Sequence, residues 1–224
     1  MTAPYNKLYE EPAYGLPEAA VYLKVPYTTL RYWLTGFGKQ APIIVSAESV
    51  PTRLSFLNLL ECHALAGMRK IYNLRLPKVR SALRKVSKDF PQPHPLVSEV
   101  FLTDRKDLFI ERMGKIINLS QPYDQLSLEF LSMHLERVEI DPKGLFRFFP
   151  FVREPRRSDL KIIEINPMVG FGKPVIAGTA ISTAIIASRF NARESISALA
   201  EEYGCTPKQI EEAIRWESAL PVAA

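Results

Sequence analysis

The chain has 224 residues and 25.4 kDa, with 29 Lys/Arg against 24 Asp/Glu and a formal charge of +5. A hydrophobic fraction of 47% with 10% aromatics excludes a wholly disordered chain. No apolar run approaches the roughly 20 residues of a membrane span, and two cysteines cannot make a disulfide framework. The first fifteen residues lack a basic start and an apolar stretch, so the expectation is a cytoplasmic protein with no membrane partner.

The charge is unevenly spread. Residues 1–88 hold 13 basic and 5 acidic side chains, residues 89–159 hold 10 and 12, and residues 160–224 hold 6 and 7. All of the positive excess therefore falls in the N-terminal part, as in a nucleic-acid-binding module joined to a neutral body. A solvated basic surface is the competing reading.

In chain order, Leu16 to Leu23 reads as a short helix with Pro17 in its first turn. Pro26 opens a second helix, Tyr27 to Leu34, which Gly36 and Gly38 close. Two short helices about a tight turn form the helix-turn-helix pattern. Ile43-Ile44-Val45 is β-prone and is expected to form a wing. A long apolar helix from Leu54 to about Tyr72 is a candidate dimer or inter-domain element, and a basic helix is expected over Lys78 to Val86. The Pro91–Pro95 stretch marks a boundary.

Short strands are expected at Val100–Leu102, Leu108–Ile110, Lys115–Leu119, Val138–Ile140 and Leu145–Phe149, with one helix from Asp124 to Leu135. Arg153 to Asp159 reads as an exposed linker. A strand at Lys161–Ile165 leads through a Gly-punctuated turn, closed by Gly178-Thr179 with Thr179 as the next helix cap. Three helices follow, near 182–189, 194–202 and 207–220. Thr206-Pro207 ahead of Glu211 resembles a capped start. The fold class is α+β, mainly helical, in three parts: 1–90, 96–152 and 160–224.

On the second helix, Leu30 and Leu34 should face the first. Tyr27, Thr28 and Arg31 then point outward, toward a major groove if DNA is the partner. Arg31 suits a phosphate or a bidentate guanine contact, and Thr28 suits a phosphate or a thymine methyl. Trp33 reads as core. Lys39 and Arg53 flank the expected wing and suit backbone phosphates, while Arg80 and Arg84 share a helix face at i, i+4. Each could instead be merely solvated.

Gly170–Pro174 is not a phosphate loop, because Pro174 follows Lys173 where that motif needs Ser or Thr. The last helix offers Glu211, Glu212 and Glu217, which oppose phosphate and favour a dimer or protein-partner surface. Cys62-His63 without a CxxC gives no metal signature, no catalytic constellation converges, and no cofactor is expected.

Two stretches carry a resemblance. Leu16-Pro17-Glu18-Ala19-Ala20-Val21-Tyr22-Leu23 followed by Thr29-Leu30-Arg31-Tyr32-Trp33 resembles a MerR-like winged helix-turn-helix, with Lys24 where glycine is usual. Ile165-Asn166-Pro167, Gly172 to Thr179, Ser195 to Gly204 and Ile210 to Ile214 resemble the domain-of-unknown-function family 433, with Ala180 where most members carry arginine. Together the two resemble the larger VapB-like antitoxins. That resemblance implies a non-enzymatic protein that represses its own operon on double-stranded operator DNA. It also implies a PIN-domain-like ribonuclease toxin as partner. One short recognition helix reads few base pairs, so a homodimer or higher even oligomer is expected. Arg153, Arg156 and Arg157 are candidates for entering the toxin's acidic site. The competing class is a stand-alone regulator whose middle segment senses a ligand.

Overall fold

The computed structural model describes residues 7–38, 40–72, 94, 96–97, 131–141, 145–153 and 160–219. The expected elements at 78–86, 100–102, 108–110 and 115–119 lie outside these residues, as does most of the helix expected from Asp124, whose end at 131–135 is helical.

The architecture is mixed α/β. A 3₁₀ turn, Lys7–Tyr9, precedes β1 (Tyr14–Gly15), α1 (Leu16–Tyr22) and α2 (Tyr27–Thr35). Pro17 sits in the first turn of α1, where a missing N–H costs nothing. The chain reverses between the helices at Lys24, whose φ of 52° is the left-handed value that glycine would adopt freely. Gly36 (φ 73°) ends α2, and only glycine fits there, because a Cβ would stand 2.1 Å from the Gln40 carbonyl oxygen.

A hairpin of β2 (Glu48–Ser49) and β3 (Thr52–Leu54) follows, and β1 adds antiparallel on the other side of β3. Its turn contains a cis Val50-Pro51 bond. The wing expected at Ile43-Ile44-Val45 does not form there. Ile43-Ile44-Val45 is not a strand: Ile44 is buried, and the amides of Ile43 and Ile44 both donate to the Trp33 carbonyl at the end of α2.

The centre of the molecule is α3 (Phe56–Tyr72). Ser55 and Asn58 cap its start reciprocally: Asn58 N–H donates to Ser55 Oγ at 3.1 Å and Ser55 N–H to Asn58 Oδ1 at 3.2 Å. From Phe56 to Met68 nearly every side chain is buried, including Leu59, Leu60, Cys62, His63 and Leu65. A helix buried on every side belongs to an interior, and its polar Asn58, Glu61 and His63 are enclosed with it. The expectation of a dimer face on this helix is thus corrected for that stretch, which is enclosed within one chain and joins its segments.

Around α3 pack Tyr9, whose ring meets Phe56 and Phe146, and the hairpin of β4 (Val138–Ile140) and β5 (Phe146–Phe148). Gly67 lets the helical turn at His134 approach, since a Cβ there would lie 3.0 Å from that of His134. Beyond them β6 (Ile163–Glu164) pairs with β7 (Val175–Ile176), and the Phe148–Ile165 bridge ties this pair to β5.

The C-terminal helices are α4 (Thr183–Asn191), α5 (Ile196–Tyr203) and α6 (Pro207–Ser218). Ser195 caps α5, Gly204 (φ 62°) ends it, and Thr206 opens α6 in a capping box whose partner is Gln209, not Glu211. Thr179 does not cap α4. Its Oγ1 closes the preceding turn, donating to the Ile176 carbonyl and accepting from Ile181 N–H, and Ser182 takes the cap position.

Candidate nucleic-acid interface

On α2, Leu30, Trp33 and Leu34 are buried, which turns the opposite side outward. Tyr27 (44% exposed), Thr28 and Arg31 stand there within one helical turn, at i, i+1 and i+4. Arg31 has no ion-pair partner among the described residues, so its guanidinium remains free to meet an anion. Arg53 is exposed on β3, across from Glu48, and Nη2 donates to the Ala13 carbonyl at 3.2 Å. Lys39, Arg80 and Arg84 lie outside the described residues.

Of the three arginines expected to meet a partner, Arg153 is described. Its side chain is 55% exposed, yet Nη2 lies 2.5 Å from Glu212 Oε1 on α6, and Arg215 holds the same carboxylate. Burial works to raise the Glu212 pKa, but the two guanidiniums outweigh it and hold the carboxyl below its usual range. Arg156 and Arg157 lie outside the described residues.

A second feature escaped sequence reasoning: α1 rests directly on the C-terminal segment. Tyr22 packs its ring 5.2 Å from that of Trp216, and Lys24 Nζ stands 5.6 Å over the same indole. Glu18 Oε1 accepts from Tyr22 OH at 2.6 Å and from Lys173 Nζ at 3.1 Å, and Tyr14 OH donates to the Gly172 carbonyl at 3.1 Å. Burial pushes both tyrosine phenols well above their usual range, so neither ionises in any ordinary buffer. The left-handed turn at Lys24 carries its ammonium over Trp216. The sequence carried a weak signal for it: Ile210, Ala213 and Trp216 recur every third residue as an apolar stripe among charged neighbours.

Buried Glu164 anchors the turn region. It accepts from Arg147 at 2.8 and 2.6 Å, from Asn166 Nδ2 at 3.2 Å and from Gly178 N–H at 3.3 Å. Burial opposes its charge, but these donors keep it ionised. Similarly, Arg189 clasps Glu194 and Glu202 and the Tyr203 hydroxyl, fixing α4 against α5. The Arg189 cluster is spent inside the C-terminal segment, and the Arg147–Glu164 pair joins the middle segment to it. Among the described residues, no group of His, Cys, Asp and Glu is placed to hold a metal ion, and no helix is long and apolar enough to cross a membrane.

Residues 163–216, spanning β6 through α6, match the family described as "Protein of unknown function (DUF433)". Over most of its length the chain is also similar to a protein of Mycobacterium tuberculosis named "Putative antitoxin VapB45". The two are 27% identical over 92% of this chain and 94% of that protein. The crystal structure of Rv2018 from Mycobacterium tuberculosis superposes with a TM-score of 0.67 at 25% identity, covering 91% of this chain and 98% of the other.

Proposed function

We propose that this chain is the antitoxin of a type II toxin–antitoxin pair. Residues 1–90 bind double-stranded operator DNA in the manner of a MerR-like module, within a homodimer or higher even oligomer. The middle segment 96–152 and the C-terminal segment 160–224 form the body that neutralises a PIN-domain-like ribonuclease toxin. The chain itself performs no catalysis, and it works in the cytoplasm. The observation that carries this reading is the similarity to a protein named "Putative antitoxin VapB45", since it covers 92% of this chain and not the DUF433 match alone.

The outward face of α2 supports the DNA arm. Arg31 reaches a guanine edge or a phosphate, Tyr27 and Thr28 hold phosphates beside it, and Arg53 and Lys39 extend the contact along the backbone. Arg80 and Arg84 are assigned to the same duplex. Arg153, Arg156 and Arg157 are assigned to the toxin; for Arg153 this means exchanging Glu212 for a carboxylate of the partner.

The test is growth of cells expressing the adjacent small open reading frame, alone and with this chain. Arrest relieved by co-expression is expected, and toxicity that the chain does not relieve refutes the antitoxin. For DNA, affinity should fall by orders of magnitude between about 50 and 200 mM salt. Arg31→Ala should weaken binding by about 1–3 kcal/mol with the fold intact; a flat salt response refutes the DNA arm.

One observation favours a second reading, a stand-alone MerR-like regulator with a ligand- or partner-sensing C-terminal region. The seam of Tyr22, Lys24 and Glu18 on Trp216 and Lys173 is a direct path from that region to the helix pair. A regulated metabolic operon beside the gene, and no toxicity from any neighbour, would select it.

A further inference from the structure

The loop after β6 contains a residue that its own fold does not need. Phe171 has φ 54° and ψ 35°, a left-handed conformation unusual for a bulky side chain, and the residue is 96% exposed. Gly170 (φ 57°) and Gly172 (φ 74°) flank it, so three consecutive residues have positive φ. The loop is tightly seated. A Cβ at Gly172 would lie 2.7 Å from the Tyr14 hydroxyl, and one at Gly170 would lie 3.0 Å from Val175 Cγ1. A strained aromatic held rigidly in solvent contributes little burial to its own chain and is a mark of function.

Phe171 stands on the rim of a cleft of about 400 Å³. Tyr14 and Phe56 form its buried floor, and Leu8 and Met168, each about half exposed, continue its apolar rim. Among the described lining residues Glu11 is the one that carries a charge, and it is exposed. Such a cleft accepts one or two apolar side chains and has an acidic edge beside them.

We infer that this cleft, rimmed by Phe171, Met168, Leu8 and Glu11, docks a segment of the toxin that presents an apolar side chain next to a lysine or arginine. The inference rests on the antitoxin reading. Charge selects the occupant. A nucleic acid would set phosphates against Glu11 and an apolar floor. A second copy on a two-fold axis would set this patch against itself, and its described lining offers no basic group to meet Glu11. A basic, apolar segment of another protein satisfies both the floor and the edge. The rigid loop presents the rim already formed, so docking costs little ordering.

The experiment uses the full chain and the purified product of the adjacent small open reading frame, with affinity and melting temperature read in parallel. Phe171→Gly is expected to keep or raise the melting temperature, because glycine relaxes the backbone, while affinity falls about tenfold. Glu11→Lys should lower affinity with no change in melting, and Phe171→Leu should retain most of it. A fluorescent peptide containing Leu-Leu-Lys-Lys should bind the free chain and be displaced by the toxin, whereas its Leu-Leu-Glu-Glu counterpart should not. A wild-type complex that Phe171→Gly and Glu11→Lys leave unweakened overturns the cleft while the antitoxin stands. Equal binding of both peptides, or of neither, also overturns it. No complex with the wild-type chain overturns the antitoxin reading and this occupant with it.

Discussion

Replacing Trp216 tests whether the seam between α1 and α6 holds the molecule together. The indole is fully buried, with its ring 5.2 Å from Tyr22 and the Lys24 ammonium over its face. Truncation to alanine removes the largest side chain at this seam, and such changes in a core cost about 3–5 kcal/mol. Phenylalanine behaves differently. Trp216 Nε1 is buried with no hydrogen-bond partner among the described residues, a defect worth about 1–3 kcal/mol. Trp216→Phe removes that orphan donor along with some apolar contact, so the two effects largely cancel. The expected net change is within about 1 kcal/mol. Urea unfolding followed by far-UV circular dichroism reads both variants without relying on the indole's own fluorescence. A loss below about 1 kcal/mol for Trp216→Ala would show that the seam contributes little. Equal losses for alanine and phenylalanine would show that the buried N–H is not a cost.

Further outcomes follow from the same contacts. Glu164→Ala should cost about 3–5 kcal/mol by chemical denaturation, because Arg147 loses its buried partner; Arg147 is 29% exposed, so the lower end is expected. A loss under 1 kcal/mol would mean that water replaces the carboxylate. Burial, aided by the charges of His134 and Arg137, holds His63 down at about 3, and in this neutral form its Nε2 donates to the His134 carbonyl at 2.8 Å. The unfolded chain takes the proton first, so this group removes about 1.4 kcal/mol per pH unit as pH falls from 6.5 toward 3. His63→Gln should flatten that limb of the urea-midpoint profile, and an unchanged slope would assign it elsewhere. Gly36→Ala should cost about 2 kcal/mol or more, since its Cβ meets the Gln40 carbonyl at a residue with φ 73°. A melting curve matching wild type would contradict that geometry.

The elements best legible in the sequence were those with local signals. The periodicity of α2 separated Leu30, Trp33 and Leu34 from Tyr27, Thr28 and Arg31, and the structure divides the helix the same way. Thr206-Pro207 marked the start of α6, although the capping partner was misassigned because the N3 position is Gln209. The hairpin after α2 was missed by several residues. β-propensity pointed to Ile43-Ile44-Val45, whereas the hairpin forms from polar Glu48, Ser49, Thr52 and Arg53, whose pairing depends on β1 nearly 40 residues earlier. Contacts such as Tyr22 on Trp216 or His94 Nδ1 on Glu61 at 2.9 Å join residues with no local relationship. Neither periodicity nor motif spacing encodes them.

The Lys24 turn ties the α1–α2 helix pair to the body it sits on. A left-handed lysine is tolerated between α1 and α2 while an indole from the far end of the chain sits beneath it. Grafted onto another body, the helix pair would expose Tyr22 and keep an awkward turn without its compensation. A chimera carrying this helix pair should therefore lose stability unless α6 with Trp216 is transplanted with it.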